Sequence, residues 1–158
     1  MLTVVFVCTG NICRSPIAEK VFRHELERAG LADRVRVSSA GTTGWHVGSP
    51  ADGRAAALLR AHGYPHAHAA RQVDAEQLSA DLLVALDNEH RRTLQSMVPE
   101  PNRVRLLRSF DPTSPPDAEV PDPYYTGGEA FDAVLAMVRA AMPGLLGWVR
   151  AQLIPARR

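Results

Sequence analysis

Cys8 and Arg14 are separated by five residues in the run Cys8-Thr9-Gly10-Asn11-Ile12-Cys13-Arg14-Ser15. The apolar stretch Leu2-Thr3-Val4-Val5-Phe6-Val7 leads into this run, and Ser15-Pro16-Ile17-Ala18-Glu19 reads as a helix start. A thiol, an arginine and a hydroxyl on a strand-to-helix turn make a site for a tetrahedral oxyanion. Gly10 permits the turn, and the backbone N–H groups of Thr9, Gly10, Asn11, Ile12 and Cys13 converge on the anion. The helix N-terminus adds positive potential. Arg14 grips two oxygens through its fork, a geometry that Lys does not offer. Such surroundings favour the thiolate form of Cys8, and a thiolate facing a bound phosphate ester is a nucleophile for phosphoryl transfer.

The ordinary alternative is a Cys that ends a buried strand as a small core hydrophobe. The setting argues against it: a strand before, a Gly inside, then Arg and Ser-Pro where a helix begins. The run lacks the Gly-Lys-Ser/Thr of a Walker A loop and is not G-x-G-x-x-G, which disfavours nucleotide binding. Only two cysteines occur, Cys8 and Cys13, so a disulfide framework is excluded and a reducing compartment fits. Cys13 is either packing or a resolving thiol for an oxidised Cys8. His66-x-His68 could pair, but nothing in the sequence places histidines beside the thiols. No metal and no cofactor are expected.

These groups need a scaffold, and 158 residues suffice for one domain with a core, 1–158. A 46% hydrophobic and 22% charged composition is that of a globular protein. A net charge of +1 gives no reason to expect nucleic acid or a membrane surface as partner. No apolar run is read as long enough to span a bilayer, and no basic segment precedes the first strand, which predicts a cytoplasmic protein. Export by a route without a classical signal stays open.

Short apolar runs alternate with helical patterns, the signature of a parallel sheet with crossover helices. The expectation is an α/β fold: a single, doubly wound domain whose four-stranded parallel sheet has helices on both faces. Strands are predicted at Leu2 to Val7, Arg34 to Ser38, Asp81 to Leu86 and Val104 to Leu107. Helices are predicted at Ser15 to about Ala29, closing at Gly30, and at about Ala51 to His62, with Ser49 as cap and Gly63 as stop. Further helices are expected at Asp74 to Ser79, at about Glu89 to Met97 with Asp87 or Asn88 as cap, and at about Glu129 to Leu153. Pro143-Gly144 should bend or break the last one. In such sheets ligands sit at the C-terminal strand ends near a topological switch point. Cys8, Ser39 and Asp87 would all lie there.

The segment 111–128 carries Pro112, Pro115, Pro116, Pro121 and Pro123, so it is neither helix nor inner strand. Phosphate-ester cleavage needs a proton donor for the departing oxygen. Asp122, stiffened between Pro121 and Pro123, is the most suggestive acid, although Asp-Pro alone is a common turn signal. Tyr124 and Tyr125 beside it could wall a cleft for an aromatic group.

Taken together, Val7-Cys8-Thr9-Gly10-Asn11-Ile12-Cys13-Arg14-Ser15-Pro16 and Asp122-Pro123-Tyr124-Tyr125 resemble the low-molecular-weight protein tyrosine phosphatases of bacterial type. The likeness runs almost end to end and takes in Ser39-Ala40-Gly41-Thr42, Trp45-His46-Val47-Gly48, Ala70-Arg71-Gln72-Val73 and Leu106 to Pro112. The resemblance implies that Cys8 attacks phosphorus, that Arg14 clamps the equatorial oxygens, and that Asp122 is the general acid and then the general base. It implies that Ser15 hydrogen-bonds the thiolate, that Asn11, Ser39 and His68 brace the loop, and that Trp45, Tyr124 and Tyr125 rim the phenyl-binding cleft. It also implies tyrosine-phosphorylated proteins as substrates and a tyrosine kinase acting on Tyr124 or Tyr125. The chain departs from the family pattern after Asp-Pro-Tyr-Tyr, where Thr126 precedes Gly127-Gly128.

Three rivals share parts of this pattern. Arsenate reductases on the same scaffold relay electrons through further cysteines, which this chain lacks. Protein-arginine phosphatases resemble the same loop with Thr at the position of Ile12; Ile12 and the Tyr124-Tyr125 pair favour an aromatic ester. A silent phosphate-binding module would have no use for Cys8 and Asp122 together.

Overall fold

The computed structural model of the protein describes residues 1–154. Its centre is a four-stranded parallel sheet in the order β2-β1-β3-β4, built from β1 Leu2–Cys8, β2 Val35–Gly41, β3 Leu82–Ala85 and β4 Val104–Leu106. The helices are α1 Arg14–Arg28, α2 Gly53–Ala61, α3 Ala75–Leu78, α4 Asn88–Met97 and α5 Gly128–Leu153. Residues alternate along β1 between two faces. Val4, Phe6 and Cys8 join a core with α1, α2 and α5, while Val5 and Val7 join a smaller one with Leu94 of α4. The expected doubly wound α/β sheet, covered on both faces, is what the chain forms. The strand order changes direction beside β1, between β2 and β3, so Cys8 ends the strand at the switch point.

Local differences from the sequence expectation have local causes. β2 runs on to Gly41 because the whole of β1, through Cys8, pairs with it in parallel register. The cap of α2 is Asp52 rather than Ser49: its carboxylate accepts the Arg54 backbone N–H at 2.9 Å. Asp87, not Asn88, caps α4 by accepting the His90 N–H at 3.0 Å. Gly30 and Gly63 follow their helices with φ of +73° and +80°, as helix stops require.

α5 neither breaks nor stops at Pro143 but continues for its full 26 residues. Met142 and Leu145 are buried on either side, and a side chain on Gly144 would overlap the Phe110 carbonyl, so tertiary packing holds the helix through the proline. By length and composition alone α5 would pass for a membrane span, contrary to the reading that no run is long enough. Its Phe131, Val134, Leu135 and Val138 are instead buried in the larger core.

Candidate active site

The anion loop is held by an unusual backbone. Asn11 has a φ of +59° while wholly buried, a conformation that costs energy unless its surroundings fix it. Its side chain supplies the fixing. Oδ1 accepts the Arg71 N–H at 3.0 Å, and because that partner can only donate, Nδ2 must point the other way. Nδ2 donates to Ser15 Oγ and Ser39 Oγ, each at 2.9 Å. His68 Nε2 donates to the Asn11 carbonyl at 2.7 Å, and burial holds the His68 pKa below its ordinary value. Asn11, Ser39 and His68 therefore meet as expected. Gly10 differs. Its φ is not in the left-handed region; a Cβ there would stand 2.8 Å from the His46 ring, so glycine serves close packing.

Ser15 Oγ lies 2.9 Å from Cys8 Sγ. Asn11 already donates to this oxygen, so its one proton goes either to the Ala40 carbonyl at 3.5 Å or to the nearer sulfur, and a thiolate there could only accept it. Cys8 is buried at the floor of the site, with 3% of its surface exposed. Cys13 is also buried and free, and burial, reinforced by Asp52 and Cys8, pushes its pKa up to about 12. α1 begins at Arg14 without a side-chain cap or an acidic residue in its first turn, leaving its N-terminal N–H groups for a ligand.

Arg14 is buried and pinned. Nη1 donates to Asp87 Oδ2 and to the Val120 carbonyl, both at 2.9 Å, and Nη2 stands 3.7 Å from Asp122 Oδ2. Val120, wholly buried, also donates its N–H to Leu86 O at 2.9 Å, which ties the proline-rich segment to the end of β3. Two residues on, Asp122 comes to the mouth of the site, its Oδ1 accepting the Tyr124 N–H at 3.0 Å. Thr126, the departure from the expected motif, closes the next turn by bonding Pro123 O with both its N–H and its hydroxyl, at 3.1 and 2.9 Å.

A cleft of about 320 Å³ joins these parts and is lined by Cys8, Thr9, Gly10, Ile12, Cys13, Arg14, Trp45, His46, Asp122, Tyr124 and Tyr125. Trp45 and Tyr125 are 76% and 90% exposed, which is a rim and not packing. The Trp45 loop follows the anion loop closely, with Thr42 N–H on Cys8 O at 2.9 Å and Thr43 N–H on Thr9 O at 3.0 Å.

Three participants escaped the sequence reading, and a fourth, Asp87, was placed at the strand ends without its bond to Arg14. His46 lines the cleft, and the Trp45-His46 segment already pointed there. Glu19 is buried, accepts the Ser39 hydroxyl at 2.6 Å, and is balanced by Lys20 and Arg23 at 3.1 and 2.9 Å. Asp87 was read as a cap and serves Arg14 as well, with its pKa held below the usual carboxylate range. Burial opposes that shift, and the bonds from His90 and Arg14 outweigh it. His90, whose Nε2 is 2.8 Å from Thr9 Oγ1 and whose Nδ1 is 3.1 Å from Asp87 Oδ1, gave no signal at all. Burial pushes the His90 pKa down to about 4.

His90 carries a stability prediction. The unfolded histidine titrates near 6.5 and the folded one near 4, so between these values the unfolded chain binds a proton that the folded chain refuses. Stability should therefore fall as pH drops through that window, by up to roughly 3 kcal/mol from this group. The Asp87 contribution, from a depressed carboxyl, is lost only at lower pH. Denaturant midpoints at neutral pH and near pH 5 should differ less in His90→Gln than in wild type; an equal drop refutes the assignment.

A buried thiol, a guanidinium and a carboxylate thus converge on one cleft at the switch point of a parallel sheet. Residues 3–154 match the family model for low molecular weight phosphotyrosine protein phosphatase, and the chain belongs to that family. It is 58% identical over 153 residues to low molecular weight protein-tyrosine phosphatase A of Mycobacterium tuberculosis, covering 96% of this chain and 94% of that one. The Bacillus subtilis YfkJ structure superposes with a TM-score of 0.90 at 34% identity, covering 98% of each chain. A Drosophila arginine phosphatase superposes at 0.85 with 31% identity, over 93% of this chain and 97% of that one. The chain is accordingly a phosphatase enzyme of that family.

Proposed function

We propose that the enzyme hydrolyses protein phosphotyrosine through a phosphocysteine on Cys8. Cys8 sulfur attacks phosphorus, the bond to the tyrosyl oxygen breaks, and Asp122 gives its proton to that oxygen. Water then attacks the phosphocysteine, the Asp122 carboxylate takes the water's proton, and the S–P bond breaks to release phosphate and the thiolate. Arg14 and the loop N–H groups hold the three equatorial oxygens throughout, and Ser15 steadies the sulfur between steps. The carrying observation is Arg14, which is 3.7 Å from Asp122 in the same cleft whose floor is Cys8.

The rim supports an aromatic ester. A phosphate at a buried sulfur is reached more easily by a long flat side chain than by phosphoserine, and Trp45, Tyr124 and Tyr125 stand where a phenyl ring would pass. Protein-arginine phosphatase is the second reading, because the fold serves that activity in the Drosophila enzyme; Ile12 and the tyrosine pair favour tyrosine. Tyr125, almost fully exposed, and Tyr124 are the proposed targets of a tyrosine kinase, and the proposed location is the cytoplasm. Neither nucleic acid nor membrane is proposed as a partner.

Turnover of phosphotyrosine, phosphoserine and phosphoarginine peptides tests this reading. Phosphotyrosine should be strongly preferred, and Trp45→Ala or Tyr124→Ala should lower kcat/KM on it about tenfold with little change in Tm. Comparable rates on phosphoserine or phosphoarginine overturn the preference while leaving the chemistry intact.

A further inference from the structure

Asp122 stands between two anchors on its own segment. On one side Arg14 holds the carbonyl of Val120. On the other side the anchor is Arg54, near the start of α2, which donates from Nη2 to Tyr124 O at 2.8 Å and from Nη1 to Thr126 O at 2.9 Å. The same Tyr124 gives its N–H to the Asp122 carboxylate, so fixing its carbonyl fixes the peptide that aims the acid. The bonds from Thr126 to Pro123 O close the turn internally and do not tie it to the rest of the site.

Arg54 is itself held. Asp52 accepts from its Nε and Nη2, both at 3.1 Å, in a two-pronged pair. The Asp52 backbone N–H donates to Ile12 O in the anion loop at 2.8 Å, and the Arg54 guanidinium lies 4.6 Å from the centroid of the Phe131 ring in α5. A continuous connection thus runs from the phosphate-binding loop through Asp52 and Arg54 to the acid's own turn. The Arg54 side chain is 41% exposed, where an isolated ion pair contributes little to stability, so the arrangement points to placement.

We propose that Arg54 is a positioning residue that sets Asp122 over the leaving oxygen by strapping the Tyr124–Thr126 turn to the anion loop. This rests on Asp122 being the general acid. Lys cannot replace Arg54 fully, because one ammonium cannot pair with Asp52 two-pronged and hold two carbonyls in the same plane.

The test is the first-turnover rate on two aryl phosphates, one with a basic phenol and one with an acidic nitrophenol as leaving group. Each variant is scored by the ratio of its two rates, which cancels any unfolded fraction. Arg54→Ala should slow the basic-phenol ester about tenfold and the nitrophenyl ester hardly at all, with Arg54→Lys recovering only part. Combined with Asp122→Ala, Arg54→Ala should add less than about twofold, since there is no acid left to place. Equal slowing of both esters, or a full additional tenfold loss in the double variant, overturns the proposal. Failure of the underlying acid assignment has a separate signature: Asp122→Ala itself would then slow both esters alike.

Discussion

Cys8→Ser should lose turnover by more than about a thousandfold while still binding inorganic phosphate within a few fold of wild type. The serine hydroxyl fills the same place but stays protonated at neutral pH, so no nucleophile faces the phosphorus. The anion-binding parts do not depend on sulfur. Arg14 keeps its bonds to Asp87 and Val120, and Asn11 keeps its bonds to Ser15, Ser39 and Arg71. Steady-state rates beside calorimetric titration with phosphate separate the two effects. Retention of substantial activity would mean that Cys8 forms no covalent intermediate; loss of phosphate binding would mean that the sulfur holds the loop open.

The difference between what was legible in the sequence and what was not follows contact distance along the chain. Cys8, Arg14 and Ser15 could be read because one strand, one turn and one helix start place them, all within a single continuous run. The sheet was legible for a similar reason: parallel strands buried on both faces appear as short apolar runs such as Leu82 to Ala85, all four of whose residues are buried. Asp122 was suggested by its prolines, yet its meeting with Arg14 depends on Val120 being buried under Leu86, a contact across more than thirty residues that no local pattern encodes.

The misses have the same origin. His90 appears in the polar run Asn88-Glu89-His90-Arg91-Arg92, and only the pairing of β1 with β3 brings α4 against Thr9. Glu19 is a charged residue in the first turns of α1, and only the parallel pairing that brings Ser39 of β2 beside it shows its buried role. Gly10 was assigned a turn role because glycine usually signals backbone freedom, whereas the constraint comes from a ring thirty-six residues on, by the numbering of Gly10 and His46. The unusual backbone belongs instead to Asn11, whose short amide can accept and donate at once and so reward the left-handed conformation. Pro143 was overestimated because the cost of a proline in a helix is set locally, while the packing of Gly144 on Phe110 is not.

Asp122→Ala should slow the first turnover of phosphotyrosine by about a hundredfold or more, and that of a nitrophenyl phosphate less than about tenfold. A phenol that departs without a proton carries a charge that its ring stabilises poorly, with a pKa near 10 for tyrosine. A nitrophenol is acidic enough to leave unassisted. The geometry suits the role: the Asp122 side chain is 44% exposed at the cleft mouth, its Oδ1 is held by the Tyr124 N–H at 3.0 Å, and its Oδ2 stands 3.7 Å from the arginine proposed to bind the transferring group. The same carboxylate is needed to activate water in the second step, so the nitrophenyl ester should release one equivalent of phenol quickly and then turn over slowly as phosphocysteine accumulates. Rapid mixing measures the two phases, and the trapped intermediate should carry its phosphate on Cys8. Equal slowing of both esters, with no initial release, would move the acid to another carboxylate and leave Asp122 only the task of shaping the turn.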